Sequence, residues 1–126
     1  MRPVVYDAGA LVAADRNDRR LWADHRVRLE LGIAPAALAL VVAQVSRSPR
    51  QVQLRRLLAG CEVVGFSEQD AHETGRILAA AKTSDVVDAA VVRLAVSRRA
   101  VVVTSDARDL SKLAAAVGAR LSLVDV

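Results

Sequence analysis

The sequence predicts an α/β three-layer fold, with a central parallel sheet of four to five short strands flanked by helices. Three observations carry that prediction. Short β-branched runs alternate with longer stretches of helical periodicity. The run 100–104 is apolar almost throughout, as in a strand buried on both faces of a parallel sheet. Finally, strands separated by helices connect through right-handed crossovers, which cover both faces of such a sheet. The 126 residues make up one domain's worth of sequence, so residues 1–126 are read as a single domain.

Each element has its own signal. Val4, Val5 and Tyr6 form a short strand ended by Asp7-Ala8-Gly9, and residues 10–14 read as a first helical turn or two. Residues 19–31 form a second helix, closed by Gly32 in the C′ position. Residues 36–47 are apolar almost all round, which predicts a buried helix. Ser48-Pro49 breaks the chain, with Ser48 as cap and Pro49 at the first position of a helix facing inward through Leu54, Leu57, Leu58 and Cys61. A strand is expected over 61–66. Ser67 and Asp70 then form a capping box for a helix with Ala71, Thr74, Ile77, Leu78 and Ala81 on one stripe. Thr83-Ser84 starts a helix carrying Val87, Ala90, Val91, Leu94 and Ala95. After the strand at 100–104, a last helix carries Leu110, Leu113, Ala114 and Val117, and residues 121–124 close the chain as a strand.

Composition narrows the function. Hydrophobic residues make up 53% and charged residues 25%, a folding composition. The apolar content is 24 Ala, 21 Val and 15 Leu against one Phe, one Trp and one Tyr. Base recognition on aromatic stacking platforms is therefore excluded. The longest apolar run, residues 33–43, is about half of a membrane span, and Asp7 arrives before any signal-peptide core could form. A cytoplasmic protein without a membrane partner is expected. The lone Cys61 permits no internal disulfide and reads as a small buried hydrophobe. The net charge is +4 with 16 of the 18 cations arginine, which suits a polyanionic partner and also fits a GC-rich genome.

The acids point to chemistry. In open α/β sheets, ligands bind beyond the carboxyl ends of the strands, where strand order reverses. Asp7 follows the first strand directly, and Asp106 follows the strand at 100–104 after Ser105. Asp88 lies one turn inside its helix, with Asp85 three residues earlier. Asp109 has the same relation to Asp106. Two charges 4 Å apart repel by about 4 kcal/mol at an effective dielectric near 20, and a hard divalent cation reverses that sign. Mg²⁺ or Mn²⁺ takes oxygen ligands, activates water and clamps phosphate. Each acid has a plainer reading: Asp85 and Asp109 as helix-start residues, Asp7 as a cap, Asp15, Asp18 and Asp24 as solvated surface. Asp88 resists such a reading, because it sits on a core-facing helix. His25 and His72 read as surface. No phosphate-cradling glycine motif and no G-x-S-x-G elbow is present.

The order of these features resembles a PIN domain. Asp7-Ala8-Gly9-Ala10-Leu11-Val12-Ala13 looks like its opening, Ser84-Asp85-Val86-Val87-Asp88-Ala89-Ala90-Val91-Val92 like its third acidic motif, and Val101 to Leu110 like its fourth. The chain is most similar to the VapC-like toxins of type II toxin–antitoxin modules. The resemblance implies a Mg²⁺- or Mn²⁺-dependent endoribonuclease, with Asp7, Asp88 and Asp106 as catalytic and metal-holding residues and Asp109 and Asp85 as further candidates. It also implies a homodimer and a small antitoxin partner, which alone binds operator DNA. One position departs from the pattern: Gln44 stands where the family usually has Glu, with Arg47 retained three residues on. Gln44 and Arg47 are expected as auxiliary residues; the plainer reading of Gln44 is a buried amide. The departure motivates an alternative, a catalytically weak PIN-fold module that binds RNA or protein. A receiver-type signalling domain is disfavoured, because Asp7 is single and no Asp follows Val63-Val64.

Overall fold

The computed structural model describes residues 2–126. The chain opens with strand β1 (Val4–Tyr6), buried at all three positions, and helix α1 (Ala8–Asp15). Helix α2 (Arg19–Glu30) follows, with the Asp18 side chain accepting from the Leu21 N–H at 2.9 Å. Gly32 then takes φ +79°, which ends the helix as the sequence predicts.

The next segment corrects the sequence reading. Residues 36–47 are not one helix. Strand β2 (Ala36–Leu38) lies between its neighbours in the sheet, and helix α3 (Ala39–Val45) starts without a loop. An apolar run this short carries no periodicity that separates a buried strand from a buried helix. Helix α4 (Val52–Ala59) also begins later than Pro49. The Gln51 carboxamide oxygen accepts from the backbone of Arg47 (2.6 Å) and Ser48 (3.0 Å), so residues 48–51 form a turn that Gln51 ties down.

Strand β3 (Glu62–Val64) is shorter than expected and largely exposed, because it is an edge strand. Helix α5 (Glu68–Ala81) carries the predicted reciprocal capping box of Ser67 and Asp70. Its inward stripe holds buried Thr74 and Ile77, whereas Ala71 is exposed. Helix α6 (Val86–Arg98) buries Ala89 through Val92, Leu94 and Ala95. Strand β4 (Val101–Thr104), helix α7 (Ala107–Ala116) and strand β5 (Ser122–Asp125) complete the chain. The last helix stops at Ala116, and Val117 is exposed.

The five strands are all parallel, in the order β3-β2-β1-β4-β5. Chain order runs outward from β1 to β3 on one side and from β4 to β5 on the other. The switch point therefore lies between β1 and β4, which pair from Val4↔Val101 to Tyr6↔Val103. Small aliphatic side chains on the sheet, α1, α6 and α7 form the core. Among the described residues no helix is long and apolar enough to cross a membrane.

His25 corrects a second expectation: it is 3% exposed, not a surface residue. Its Nδ1 lies 2.8 Å from the Tyr6 hydroxyl, and its ring meets Trp22 edge-on. Arg28 also donates to the Tyr6 hydroxyl at 3.1 Å, and Arg56 of α4 stacks over Trp22. Cys61 is half-buried, its thiol donates to the Leu57 carbonyl at 3.3 Å, and burial pushes its pKa up to about 12.

Candidate metal centre

Three acidic residues meet at the switch point. Asp7, Asp88 and Asp106 each offer one carboxylate oxygen, and these atoms all lie within 4.8 Å of one another. Each reaches the cluster from a different element, and each stands at a helix N-terminus.

Asp7 follows β1, and its N–H still donates to the Val103 carbonyl on β4 at 3.0 Å. The backbone then turns into α1 with Asp7 at the N-cap, where its own carbonyl accepts from Ala10 and Leu11. The Asp7 side chain makes no capping bond. It points instead to Thr104, whose hydroxyl donates to Asp7 Oδ2 at 2.9 Å. The same Thr104 oxygen accepts from the Asp106 N–H at 2.9 Å. One buried hydroxyl thus uses both its donor and an acceptor to hold two acids in place. Asp106 is the N-cap residue of α7 and makes no side-chain capping bond either. Neither carboxylate is engaged in a helix cap.

Asp88 sits in the first turn of α6, and its N–H donates to Asp85 Oδ1 at 3.1 Å. Asp85 therefore caps the helix, as its plainer reading held. Asp85 and Asp109 line a cleft of about 450 Å³ beside Asp88. Gln44 is exposed on α3 rather than buried. The Arg47 guanidinium donates to the Ala43 (2.9 Å) and Ser46 (2.8 Å) carbonyls, closing the C-terminal end of α3.

The electrostatics follow from crowding. Asp7 is 2% exposed, and burial raises its pKa, against the lowering hydrogen bonds from Ala8 and Thr104. Asp88 is pushed up to about 7, by burial first and then by Asp85, Asp7 and Asp106. The positive ends of α1, α6 and α7 offset part of the charge. The donor set is all carboxylate oxygen, which suits a hard cation such as Mg²⁺ or Mn²⁺ over a softer metal. The residues present fit such an ion.

Sequence reasoning missed two contributors. Thr104 left only one trace, a hydroxyl at the end of an apolar strand. Gly9 sits within the first acidic motif for a steric reason. A Cβ there would fall 2.5 Å from Ser105 Oγ and 2.7 Å from the Ser105 nitrogen. Only glycine lets α1 start this close to the loop that carries Asp106.

No protein-family model matches the chain, and no curated protein matches it. Solved structures do. One is a chain of VapBC2 from Rickettsia felis bound to a promoter DNA fragment, with 16% identity, 98% of each chain covered and a TM-score of 0.71. A second is a chain of DNA-bound VapBC from Salmonella typhimurium, with 18% identity, 99% and 98% coverage and a TM-score of 0.72. A third is PAE2754 from Pyrobaculum aerophilum, with 22% identity, 99% and 91% coverage and a TM-score of 0.64. These likenesses span the whole chain and show its fold, the PIN-like α/β fold that the sequence resembles.

Proposed function

We propose that the protein is a metal-dependent endoribonuclease, the toxin of a toxin–antitoxin pair. The observation that carries this reading is the meeting of Asp7, Asp88 and Asp106 at the switch point, with Asp7 and Asp106 both released from capping. Asp7, Asp88 and Asp106 hold the metal, with Asp109 and Asp85 close enough in sequence and in the adjoining cleft to add charge or outer contacts. A bound Mg²⁺ or Mn²⁺ supplies a water of lowered pKa and a clamp for a phosphate oxygen. The protein's own residues do the rest. Thr104 fixes the Asp7 carboxylate and the Asp106 backbone relative to each other. Asp85 fixes the first turn of α6 and so the position of Asp88. Burial and the neighbouring acids push the Asp88 carboxyl up to about 7 when no cation is bound, so metal binding and proton release are coupled there. The excess of arginine draws the RNA backbone to the protein.

Two of the structural relatives are VapBC complexes on DNA. They support a small antitoxin as partner, with operator DNA reached through that antitoxin. A homodimer and a cytoplasmic location go with the same reading.

Induced expression of the protein should arrest bacterial growth. Asp7→Ala and Asp88→Ala should relieve the arrest while the purified variants keep their helical circular dichroism. Folded variants that remain as toxic as the parent would refute the site assignment.

A second reading is motivated by Gln44, an uncharged residue where the resembled family usually has Glu. In it the protein is a weakly catalytic module that binds RNA or protein. Gln44→Glu would then raise Mn²⁺-dependent cleavage strongly from a near-zero level, whereas substantial wild-type cleavage would exclude it.

A further inference from the structure

Two clefts open onto the acid cluster from different elements. The first, about 450 Å³, lies among α5, α6 and α7 and includes Asp88. The second, about 410 Å³, lies between α1 and the loop from β4 to α7 and includes Asp106. No residue lines both clefts, but Asp88 of the first and Asp106 of the second bring carboxylate oxygens within 4.8 Å of each other, so the clefts meet at the cluster. Both volumes fall in the range of small-molecule sites.

The charges inside the clefts are sparse. The first contains Asp85, Asp88 and Asp109 and one cation, Lys112. The second contains Asp18 and Asp106 and one cation, Arg16. A phosphate is repelled by the carboxylates, so each cleft has one place to hold it. Lys112 and Arg16 are exposed, and neither is in an ion pair with an acid of the described residues. The remaining walls are small aliphatic surfaces, such as Ala80 and Leu113 in one and Val12 and Ala13 in the other. No aromatic ring lines either cleft, so bases passing through are not selected by stacking.

We propose that a single RNA strand crosses the acid cluster through both clefts, with Lys112 holding a phosphate on one side of the cleaved bond and Arg16 on the other. This rests on the ribonuclease reading above and gives it a substrate path. A path open at both ends needs no chain terminus.

The test uses the full-length protein and a fluorescein-labelled single-stranded RNA. Binding is followed by anisotropy in EDTA, where metal-dependent cleavage is absent. Lys112→Gln and Arg16→Gln should each weaken binding about three- to ten-fold and lower the slope of log K against log salt by about 0.7, one phosphate contact on a single strand. Lys112→Arg should restore it. Arg120→Gln, an exposed cation outside both clefts, should change neither quantity. Thermal midpoints verify that the variants are folded. In Mn²⁺, the two glutamine variants should raise KM more than they lower kcat. Substrates extending to only one side of the cleaved bond should respond to one substitution and not the other. Wild-type protein that binds and cleaves RNA while Lys112→Gln and Arg16→Gln match Arg120→Gln overturns the path alone. Wild-type protein that neither binds nor cleaves RNA overturns the ribonuclease reading and the path with it.

Discussion

Thr104 is the residue on which the geometry of the acid cluster turns. It donates to Asp7 and accepts from the Asp106 backbone, and it is fully buried. Thr104→Val keeps the shape and removes both bonds. It should cost about 1–3 kcal/mol in urea unfolding and about 10–100-fold in metal affinity by calorimetry, the usual scale for outer-shell partners. Thr104→Ser should recover most of the affinity. His25 gives a second residue-scale prediction. Burial, and after it Arg28, lowers its pKa below the ordinary 6.5. A base with a depressed folded pKa contributes stability that is present above pH 6.5 and lost as pH falls through the folded value. His25→Gln should flatten the pH dependence of the unfolding free energy below 6.5, measured as the difference from wild type; an unchanged slope would contradict the assignment. Part of this scale is legible in the sequence: the places of Asp7, Asp88 and Asp106 after strands and in a first helical turn predict that these carboxylates meet, and they do. His25 was hidden by its charged neighbours, although its i, i+4 relation to buried Leu21 was the available signal. Thr104 was hidden because one hydroxyl after three valines carries no motif.

At the scale of elements, the close approach of α1 to the β4–α7 loop is made possible by Gly9. Gly9→Ala would place a methyl group against the Ser105 backbone, where no flexible end can yield. The substitution should destabilise by about 1–3 kcal/mol, seen as a lower thermal midpoint, and should depress cleavage by displacing Asp106. A normal midpoint and activity would show that the loop moves freely. Long elements with caps were read well from sequence. The Ser67–Asp70 box, the Gly32 stop and the β4 run all stand where their chemistry puts them. β2 was not legible, because three buried apolar residues run straight into a helix with no turn residue between them. The start of α4 was missed because the ordering group is the Gln51 side chain rather than Ser48, which accepts from the Arg50 N–H instead.

Across the whole molecule, the fold trades stability for a concentrated negative charge at one end of a basic protein. Nine of the sixteen arginines lie between Arg16 and Arg56, in the half of the chain that forms α2, α3 and α4. The carboxylates gather instead at the carboxyl ends of β1 and β4. Removing one of them should relieve the crowding. Asp88→Asn should raise the metal-free stability at pH 8, where the wild-type carboxyl is ionised against its neighbours, and should abolish stabilisation by added Mn²⁺. Equal Mn²⁺ stabilisation of both proteins would place the ion elsewhere. The most direct measurement is cleavage of RNA by the purified protein in Mn²⁺ or Mg²⁺, in EDTA, and with Asp7→Asn or Asp88→Asn. Internal cleavage that requires the divalent ion and falls at least about 100-fold in either folded variant is the predicted result. Cleavage that persists in EDTA, or in a folded Asp88→Asn protein, would contradict it.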